Sequence, residues 1–204
     1  MKKIFTLLLV VLVAFTSCKD KKKETQEIKA ETAEKFIVKP EGTSVKWTAY
    51  KTTEKVPVGG EFKILKFDNK EGATPQEALN GLTFSIPVSS LFTKDASRDE
   101  KLKSFFFGVM LDTELIKGTI KFANNQYMAT LTMNGVTNDL PLEFSIADER
   151  RVTLTGTMQL KDWNALEAVE SINKACFDLH KGADGVSKTW EDVAIEVNTY
   201  LRKN

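Results

Sequence analysis

The chain has 204 residues, of which 42% are hydrophobic and 28% are charged, a composition typical of a globular domain with one sizeable core. Its 29 basic and 28 acidic residues nearly cancel, so no strong field is available to attract nucleic acid. One histidine and two cysteines exclude a His/Cys metal cluster and a disulfide framework. Composition therefore favours a binding or structural protein.

The first 17 residues are predicted to be a signal peptide. Lys2 and Lys3 precede the apolar run Ile4–Phe15, which is shorter than the ~20 residues of a membrane-spanning helix but typical of a secretory signal. The end of this segment, Phe15-Thr16-Ser17-Cys18, resembles a bacterial lipoprotein signal, in which the cysteine becomes the lipidated first residue. The resemblance implies an exported lipoprotein of the bacterial cell envelope, periplasmic or surface-facing; an ordinary secretory signal with an incidental cysteine is the alternative.

Residues 18–35 are predicted to be a flexible charged tether. After Cys18 they consist of charged residues, Thr, Gln and Ala, with Ile28 as the one sizeable apolar side chain, and such a composition cannot bury a core. The folded domain is therefore expected to span residues 36–204. If Cys18 is acylated, Cys176 has no partner and is expected to be a small buried apolar residue.

From residue 36 onward the dominant pattern is an alternation of apolar and polar residues, which indicates strands with one buried face. Eight strands are predicted, at 45–50, 61–67, 82–88, 116–122, 127–134, 139–146, 152–160 and 193–201. In the second, the alternation slips at Leu65, as a bulge would produce. Asn124-Asn125 and Asn134-Gly135 predict tight turns. Such an antiparallel sheet forms a barrel or a sandwich, and a barrel of about eight strands is either filled by side chains or holds one small ligand.

Two helices interrupt the strand pattern. Ser97-Arg98-Asp99-Glu100 has the S-x-x-E form of a capping box and predicts a short helix over about 98–105. Asp162 predicts the start of a longer helix over about 162–181, closed by Gly182. Its apolar residues recur at spacings of three and four and predict one stripe that docks on the sheet. They are Trp163, Leu166, Val169, Ile172, Cys176 and Leu179.

The search for catalytic motifs finds no nucleophile elbow, H-E-x-x-H zinc motif, P-loop or dinucleotide fingerprint in the sequence. His180, beside Lys181, is interpreted as a surface histidine that interacts favourably with a helix dipole. Arg98 beside Asp99 is interpreted as part of a structural ion pair, with a charge at a barrel mouth as the alternative. The chain is therefore predicted not to be an enzyme.

Four segments resemble, in the right order, motifs of the YceI-like family. They are Ser44-Val45-Lys46-Trp47, Gly59-Gly60-Glu61-Phe62, Arg98–Ser104 followed by Phe106, and Leu131–Thr137. Members of this family are lipocalin-like antiparallel barrels that bind polyisoprenoid or other long apolar molecules. The resemblance therefore implies an all-β, eight-stranded antiparallel barrel with an apolar ligand inside it.

The chain departs from the family's pattern at two histidines. Val58 stands before the second-strand glycines, and Lys101 stands in the R-D-x-H-L motif. The way in which the family recognises a ligand headgroup is therefore not expected to apply to this chain. The segment around 162–182 resembles an inserted helix, on which Trp163 and Phe177 are expected to narrow or replace the chain-binding cavity.

The leading hypothesis is a lipid-anchored carrier, storage or stress protein that holds an elongated apolar ligand, an isoprenoid quinone or other lipid, and needs no further cofactor. Three consecutive phenylalanines at 105–107 cannot all point the same way, so at least one should face a cavity, a lid or solvent. The predicted ligand-binding residues are Trp47, Phe62, Ile64, Phe84, Ile86, Phe105, Phe106, Ile120, Phe122, Leu131, Met133, Leu142 and Phe144.

Two other functions are compatible with the same pattern. The barrel interior could be filled by its own side chains, which would leave a non-enzymatic interaction or scaffold module. An enzyme that uses the barrel as a hydrophobic reaction chamber ranks lowest, because no acid–base pair is visible. The expected partners are the apolar ligand and the membrane, reached through Cys18, and the sequence leaves open whether the chain forms a homodimer.

Overall fold

The computed structural model describes residues 34–203, so the predicted signal peptide, Cys18 and most of the tether lie outside the described residues. The strands are β1 (Phe36–Ile37), β2 (Thr43–Lys51), β3 (Val56–Phe62), β4 (Lys66–Phe67), β5 (Glu71–Gly72), β6 (Thr83–Pro87), β7 (Leu91–Phe92), β8 (Leu115–Ala123), β9 (Gln126–Met133), β10 (Val136–Ala147), β11 (Arg151–Gln159), β12 (Asp192–Tyr200) and β13 (Arg202–Lys203). The α-helices are α1 (Pro75–Leu79), α2 (Ala96–Lys101) and α3 (Leu166–Ala175). Single 3-10 turns lie at Pro40–Gly42, Val88–Ser90, Phe107–Val109, Leu160–Trp163 and Phe177–Leu179, and a π-helical turn lies at Leu102–Phe106. None of the helices between residues 34 and 203 is long and apolar enough to cross a bilayer.

Ten of these strands form one antiparallel sheet in the order β4-β6-β8-β9-β10-β11-β12-β2-β3-β7. Its eight longer strands, β2, β3, β6 and β8–β12, correspond to the eight predicted strands, so the prediction of an all-β antiparallel fold is confirmed. The strand count is higher because five two-residue strands also pair. The second strand also differs, since it covers Val56–Phe62 and ends before the predicted slip at Leu65.

The two ends of this sheet are joined by the same two chain segments, which closes the barrel. At one end β3 pairs with β7, with Phe62 opposite Leu91, and at the other end β4 pairs with β6, with Lys66 opposite Ser85. Between these pairs the Lys63 N–H donates to the Ser90 carbonyl at 3.0 Å. Residues 61–67 therefore run antiparallel to residues 84–92, with a shift in register where the alternation of the sequence slips.

Both predicted tight turns are present. Asn124 and Asn125, between β8 and β9, have φ values of 52° and 58°. Asn134 and Gly135, between β9 and β10, have φ values of 52° and 68°. Two successive positive φ values define the type I′ turn, whose twist matches that of the strands it connects. Local sequence therefore sets these two hairpins.

One end of the barrel is packed with aromatic side chains. Tyr127 is fully buried, and its ring centroid lies 4.6 Å from that of Phe122 and 5.0 Å from that of Phe144. The small antiparallel sheet β13-β1-β5, together with α1, adds further buried apolar residues, among them Phe36 and Ile37. The opposite end carries α2 and α3 and is called the helical end below.

Helix α2 begins earlier than predicted. Its N-cap is Asp95, whose carboxylate accepts from the Arg98 backbone N–H at 3.0 Å while its own backbone stays extended. Ser97, the predicted cap, lies inside the helix, so that prediction is wrong. Asp99 is buried and accepts hydrogen bonds from the Thr93 backbone N–H at 2.8 Å and the Thr93 hydroxyl at 2.6 Å. Its carboxylate therefore ties α2 to the residue after β7 and does not cap the helix.

The predicted helix over 162–181 is broken into pieces. Asn164 adopts the left-handed conformation at φ 54°, so the helix begins at Leu166, and it ends at Ala175 before the non-helical Cys176. Trp163 is buried and donates its indole N–H to the Leu131 carbonyl of β9 at 2.9 Å. This bond anchors the start of α3 on the sheet.

The predicted apolar stripe of this segment is only partly buried. Val169, Ile172 and Cys176 are buried, as predicted, whereas Leu166 and Leu179 are exposed. Leu179 lies beyond Ala175, where the chain leaves helical geometry, and Leu166 is the first residue of α3, directly after the break at Asn164, so neither keeps the predicted helical spacing to its neighbours in the stripe.

Candidate functional site

A cavity of about 290 Å³ lies inside the helical end of the barrel. Its wall comes from β2, β3, β7, β8, β9, β11 and β12, and α2, α3 and the turns beside them cover it. Buried apolar side chains from these elements line it: Trp47, Leu91, Phe107, Met133, Met158, Leu160, Val169, Ile172 and Cys176. The volume is close to the lower end of the ~300–1,000 Å³ of small-molecule sites.

Four of the thirteen predicted ligand-binding residues line this cavity: Trp47, Phe62, Phe106 and Met133. The other nine do not, for two reasons. Ile64 lies beyond the end of β3 and is 49% exposed, and Phe105 is 44% exposed on the π-helical turn. The remaining seven pack elsewhere in the barrel: Phe84, Ile86, Ile120, Phe122, Leu131, Leu142 and Phe144.

Consecutive phenylalanines separate as the sequence predicts. Phe105 is exposed, Phe106 faces the cavity and Phe107 is buried beside it. The rings of Phe106 and Phe107 meet edge to face with centroids 5.0 Å apart. The two residues expected to narrow the cavity from the inserted segment do not line it, because Trp163 anchors α3 and Phe177 is exposed.

The exposed lining residues Asp95, Ser97 and Leu179 mark the opening of the cavity, and half-buried charged residues lie beside them. Lys51 comes from the end of β2, Arg98 and Lys101 from α2, and His180 from the turn after α3. The one lining carboxylate, Asp95, lies 3.6 Å from the Arg98 guanidinium. We call Lys51, Arg98, Lys101 and His180 the basic rim.

His180 occupies a different environment from the predicted surface position. It is half-buried, and its Nδ1 lies 2.6 Å from the Thr189 hydroxyl oxygen. That hydroxyl donates to Asn173 Oδ1 at 2.9 Å, so it accepts from His180, which places a proton on Nδ1. In the neutral ring, Nε2 is then an acceptor.

The lysine and arginine side chains of the basic rim affect the pKa values of His180 and Cys176. Burial lowers the pKa of the His180 imidazole, and the charges of Lys51 and Lys101 lower it further. Burial raises the pKa of the Cys176 thiol, while Lys101, Lys51 and Arg98 act in the opposite direction. Because both groups line the cavity, these shifts indicate that the positive charges of the rim act on its interior.

One buried polar group of the cavity wall has no hydrogen-bond partner in the described part of the chain. Trp47 is buried, and its indole Nε1–H finds no acceptor among residues 34–203. Buried donors in native proteins are almost always paired, so an oxygen-bearing ligand would remove a free-energy cost here. In the part of the chain that the structure describes, no three His, Cys, Asp or Glu side chains are placed to hold a metal ion.

Sequence reasoning missed most of the residues that cover the cavity. His180 was interpreted as a surface residue and Arg98 as part of an ion pair, with a charge at a barrel mouth as the alternative, and Lys51 was given no role, because a charged side chain in a linear pattern does not by itself indicate a cavity. One signal was present: the two positions where the chain departs from the histidines of the family it resembles, Val58 and Lys101, both line this cavity.

The family follows from a direct comparison of sequences. The sequence model of the YceI-like domain matches residues 36–201, a span that holds the whole barrel and both cavity-covering helices. The chain belongs to the YceI-like family. No curated protein matches it.

Several solved structures share this fold over most of the length of this YceI-like chain. A polyisoprenoid binding domain from Saccharophagus degradans, implicated in plant cell wall breakdown, is 12% identical with a TM-score of 0.60, over 84% of this chain and 99% of that one. BcnA from Burkholderia cenocepacia is 17% identical with a TM-score of 0.51, over 80% and 98%. A YceI protein from Campylobacter jejuni is 20% identical with a TM-score of 0.50, over 72% and 85%. At these identities the likeness establishes the fold.

Proposed function

We propose that this protein is a lipid-anchored carrier or storage protein of the bacterial cell envelope that holds an elongated apolar ligand, an isoprenoid quinone or other lipid. The observation that carries the proposal is the apolar cavity at the helical end of the barrel. It is supported by one structural neighbour, the polyisoprenoid binding domain from Saccharophagus degradans.

The physical basis is the removal of apolar surface from water. Each Å² of a ligand chain that leaves water for the cavity contributes about 25 cal/mol. Trp47, Met158 and Ile172 line the cavity from three separate elements and are already buried, so part of the wall is formed before a ligand arrives. A preformed site binds more tightly because less ordering is needed on association.

The cavity size constrains how such a ligand is held. About 290 Å³ suits one chain, and the packed cluster around Tyr127 closes the far end of the barrel. A longer isoprenoid would therefore place its remaining units outside the opening, past the exposed side chain of Leu179.

The proposal of a lipid anchor is supported by the sequence alone. The apolar run Ile4–Phe15, followed by small residues and Cys18, is the pattern of a lipoprotein signal. Lipidation would hold the barrel near the membrane from which an apolar ligand comes. We expect Cys18→Ser to move the protein from the membrane fraction to the soluble fraction, whereas Cys176→Ser should leave it in place; a membrane-bound Cys18→Ser protein would contradict the anchor.

Ligand binding is tested by native mass spectrometry of the mature protein purified without detergent. A bound apolar adduct is expected, and Ala49→Phe should abolish it, because Ala49 lines the cavity and a ring there would fill it. Thr48→Phe, which places the same ring on the other face of the same strand, is the control. Detection of the ligand-free mass alone, together with no uptake of a fluorescent lipid, would contradict the proposal.

The scaffold alternative predicts a barrel filled by its own side chains. The solid end around Tyr127 fits that description, but the helical end does not. Unchanged adduct in Ala49→Phe would show that the ligand lies outside the cavity and would return the scaffold function to consideration.

A further inference from the structure

The basic rim carries more positive charge than the binding of an apolar chain requires. A neutral chain would gain from apolar walls alone, yet three cationic side chains reach the opening from two separate elements, β2 and α2. Placing like charges close together has an electrostatic cost. An anion bound at the opening would offset this repulsion by its attraction to the three cations.

Two of these cations have no acidic partner in the described part of the chain. Lys51 Nζ donates to the Leu179 carbonyl at 3.0 Å, and no ion pair or hydrogen bond is found for the ammonium group of Lys101 among residues 34–203. Arg98 is paired with Asp95. A single carboxylate therefore faces three cations, and the rim carries an excess of positive charge.

The position of these charges favours recognition of a headgroup. They surround the mouth of a cavity with apolar walls, where low-dielectric surroundings focus the field. A negatively charged oxygen there would accept charge-assisted hydrogen bonds, which are about twice as strong as neutral ones. A ligand that fits both features is an amphiphile, with an apolar chain in the cavity and an anionic headgroup at its mouth.

We propose that the ligand is a fatty acid, with its acyl chain in the cavity and its carboxylate bound at the rim by Lys51 and Lys101. This inference rests on the proposed function, since it needs the cavity to hold an apolar chain, and it names the chemical class of that chain's headgroup. The cavity volume of about 290 Å³ suits one acyl chain of moderate length. Arg98 contributes to the field while it remains paired with Asp95.

The test compares three ligands that share one chain and differ in headgroup charge: dodecanoate, dodecanol and dodecyltrimethylammonium, each below its micellar concentration. Their affinities for the delipidated protein are measured by calorimetry at pH 8. We expect dodecanoate to bind roughly tenfold or more tightly than dodecanol, as one or two hydrogen bonds to a charged group would produce, and the cation to bind most weakly. Added salt should reduce this preference.

Variants locate the source of the preference. Lys51→Gln with Lys101→Gln should bring dodecanoate down to the affinity of dodecanol and leave dodecanol unchanged. Lys46→Gln, an exposed lysine on the outer face of the same strand as Lys51, should leave all three affinities unchanged. Equal binding of dodecanoate and dodecanol by the unmodified protein would overturn this inference but not the proposed function. Failure of all three ligands to bind would overturn this inference, and it would overturn the proposed function as well if native mass spectrometry also finds no apolar adduct.

Discussion

The indole of Trp47 lies directly against Gly60, the residue opposite it on the neighbouring strand. A Cβ atom at position 60 would fall 2.7 Å from Trp47 Cε2 and 2.9 Å from Thr93 Cγ2, closer than real Cβ contacts. The missing side chain at Gly60 therefore makes room for the ring that forms part of the cavity wall.

We expect Gly60→Ala to displace the indole and destabilise the protein by about 1–3 kcal/mol, the usual cost of overpacking, with weaker ligand binding. Urea unfolding and the adduct assay measure the two effects. Gly59→Ala is the matched control, because its nearest contact would be an ordinary 3.5 Å to the Trp47 carbonyl oxygen. Equal stability of the two variants would show that the ring does not depend on this space.

The hydroxyl of Tyr127 is buried and has no hydrogen-bond partner among the described residues. Removing it in Tyr127→Phe should therefore stabilise the protein by about 1 kcal/mol, because an unpaired polar group no longer has to leave water. The ring contacts with Phe122 and Phe144 are kept. A loss of stability in urea unfolding would show that the hydroxyl has a partner after all.

Alkaline pH tests the same residue. Burial raises the pKa of Tyr127 to about 12, while an unfolded tyrosine ionises near its usual pKa of ~10. The unfolded state therefore loses the proton first, and stability should fall as pH rises from about 10 toward 12. The fall attributable to this residue should disappear in Tyr127→Phe, and an unchanged alkaline slope would contradict the shift.

Asp99 and Glu100 are adjacent carboxylates with different environments. Asp99 is buried and accepts two hydrogen bonds from Thr93, whereas Glu100 is exposed and lies 3.8 Å from Lys103. We expect Asp99→Ala to cost about 2–3 kcal/mol, because hydrogen bonds to a charged group are lost and a buried donor is left unpaired. Glu100→Ala should change stability by less than about 1 kcal/mol. A similar loss in both variants would contradict the role of Asp99 as a tie between α2 and β7.

His180 is the only histidine in the sequence, so its titration can be followed directly by NMR. Its pKa should lie below the usual value of about 6.5, because the imidazole is half-buried and near Lys51 and Lys101. Lys101→Gln should raise this pKa, and Lys46→Gln should not. An unchanged pKa in Lys101→Gln would mean that the charge does not reach the ring.

The stability consequence of this shift has a definite sign. A histidine with a lowered pKa in the folded state takes up its proton more readily when unfolded, so stability is retained above about pH 6.5 and lost as pH falls through the lower folded pKa. His180→Gln should remove that part of the acid destabilisation. Unfolding measured at pH 8, 6 and 5 would show it as a smaller loss in the variant.

Seven of the eight long strands and both tight hairpins could be predicted because their signals are local, whereas β3 lies N-terminal to most of its predicted range. Alternation places Trp47 and Ala49 on one face, and successive asparagine and glycine residues accept the positive φ of a type I′ turn. The helices were harder to predict. The cap of α2 is a local bond, from the Arg98 backbone N–H to Asp95, and it competes with the capping pattern that begins at Ser97. The break at Asn164 depends on another element, because Asn134 Nδ2 donates to the Trp163 and Asn164 carbonyls, and helical spacing does not report that.

The sequence by itself determined which side chains face into the barrel. The tertiary structure decided which of those inward-facing residues pack against other side chains and which line the cavity. Phe122 and Phe144 face inward and close on Tyr127, whereas Phe62 and Met133 face inward onto a cavity. The reason is that a side chain's direction follows from its own strand, while the volume in front of it depends on residues far away in the chain that cover that end of the barrel.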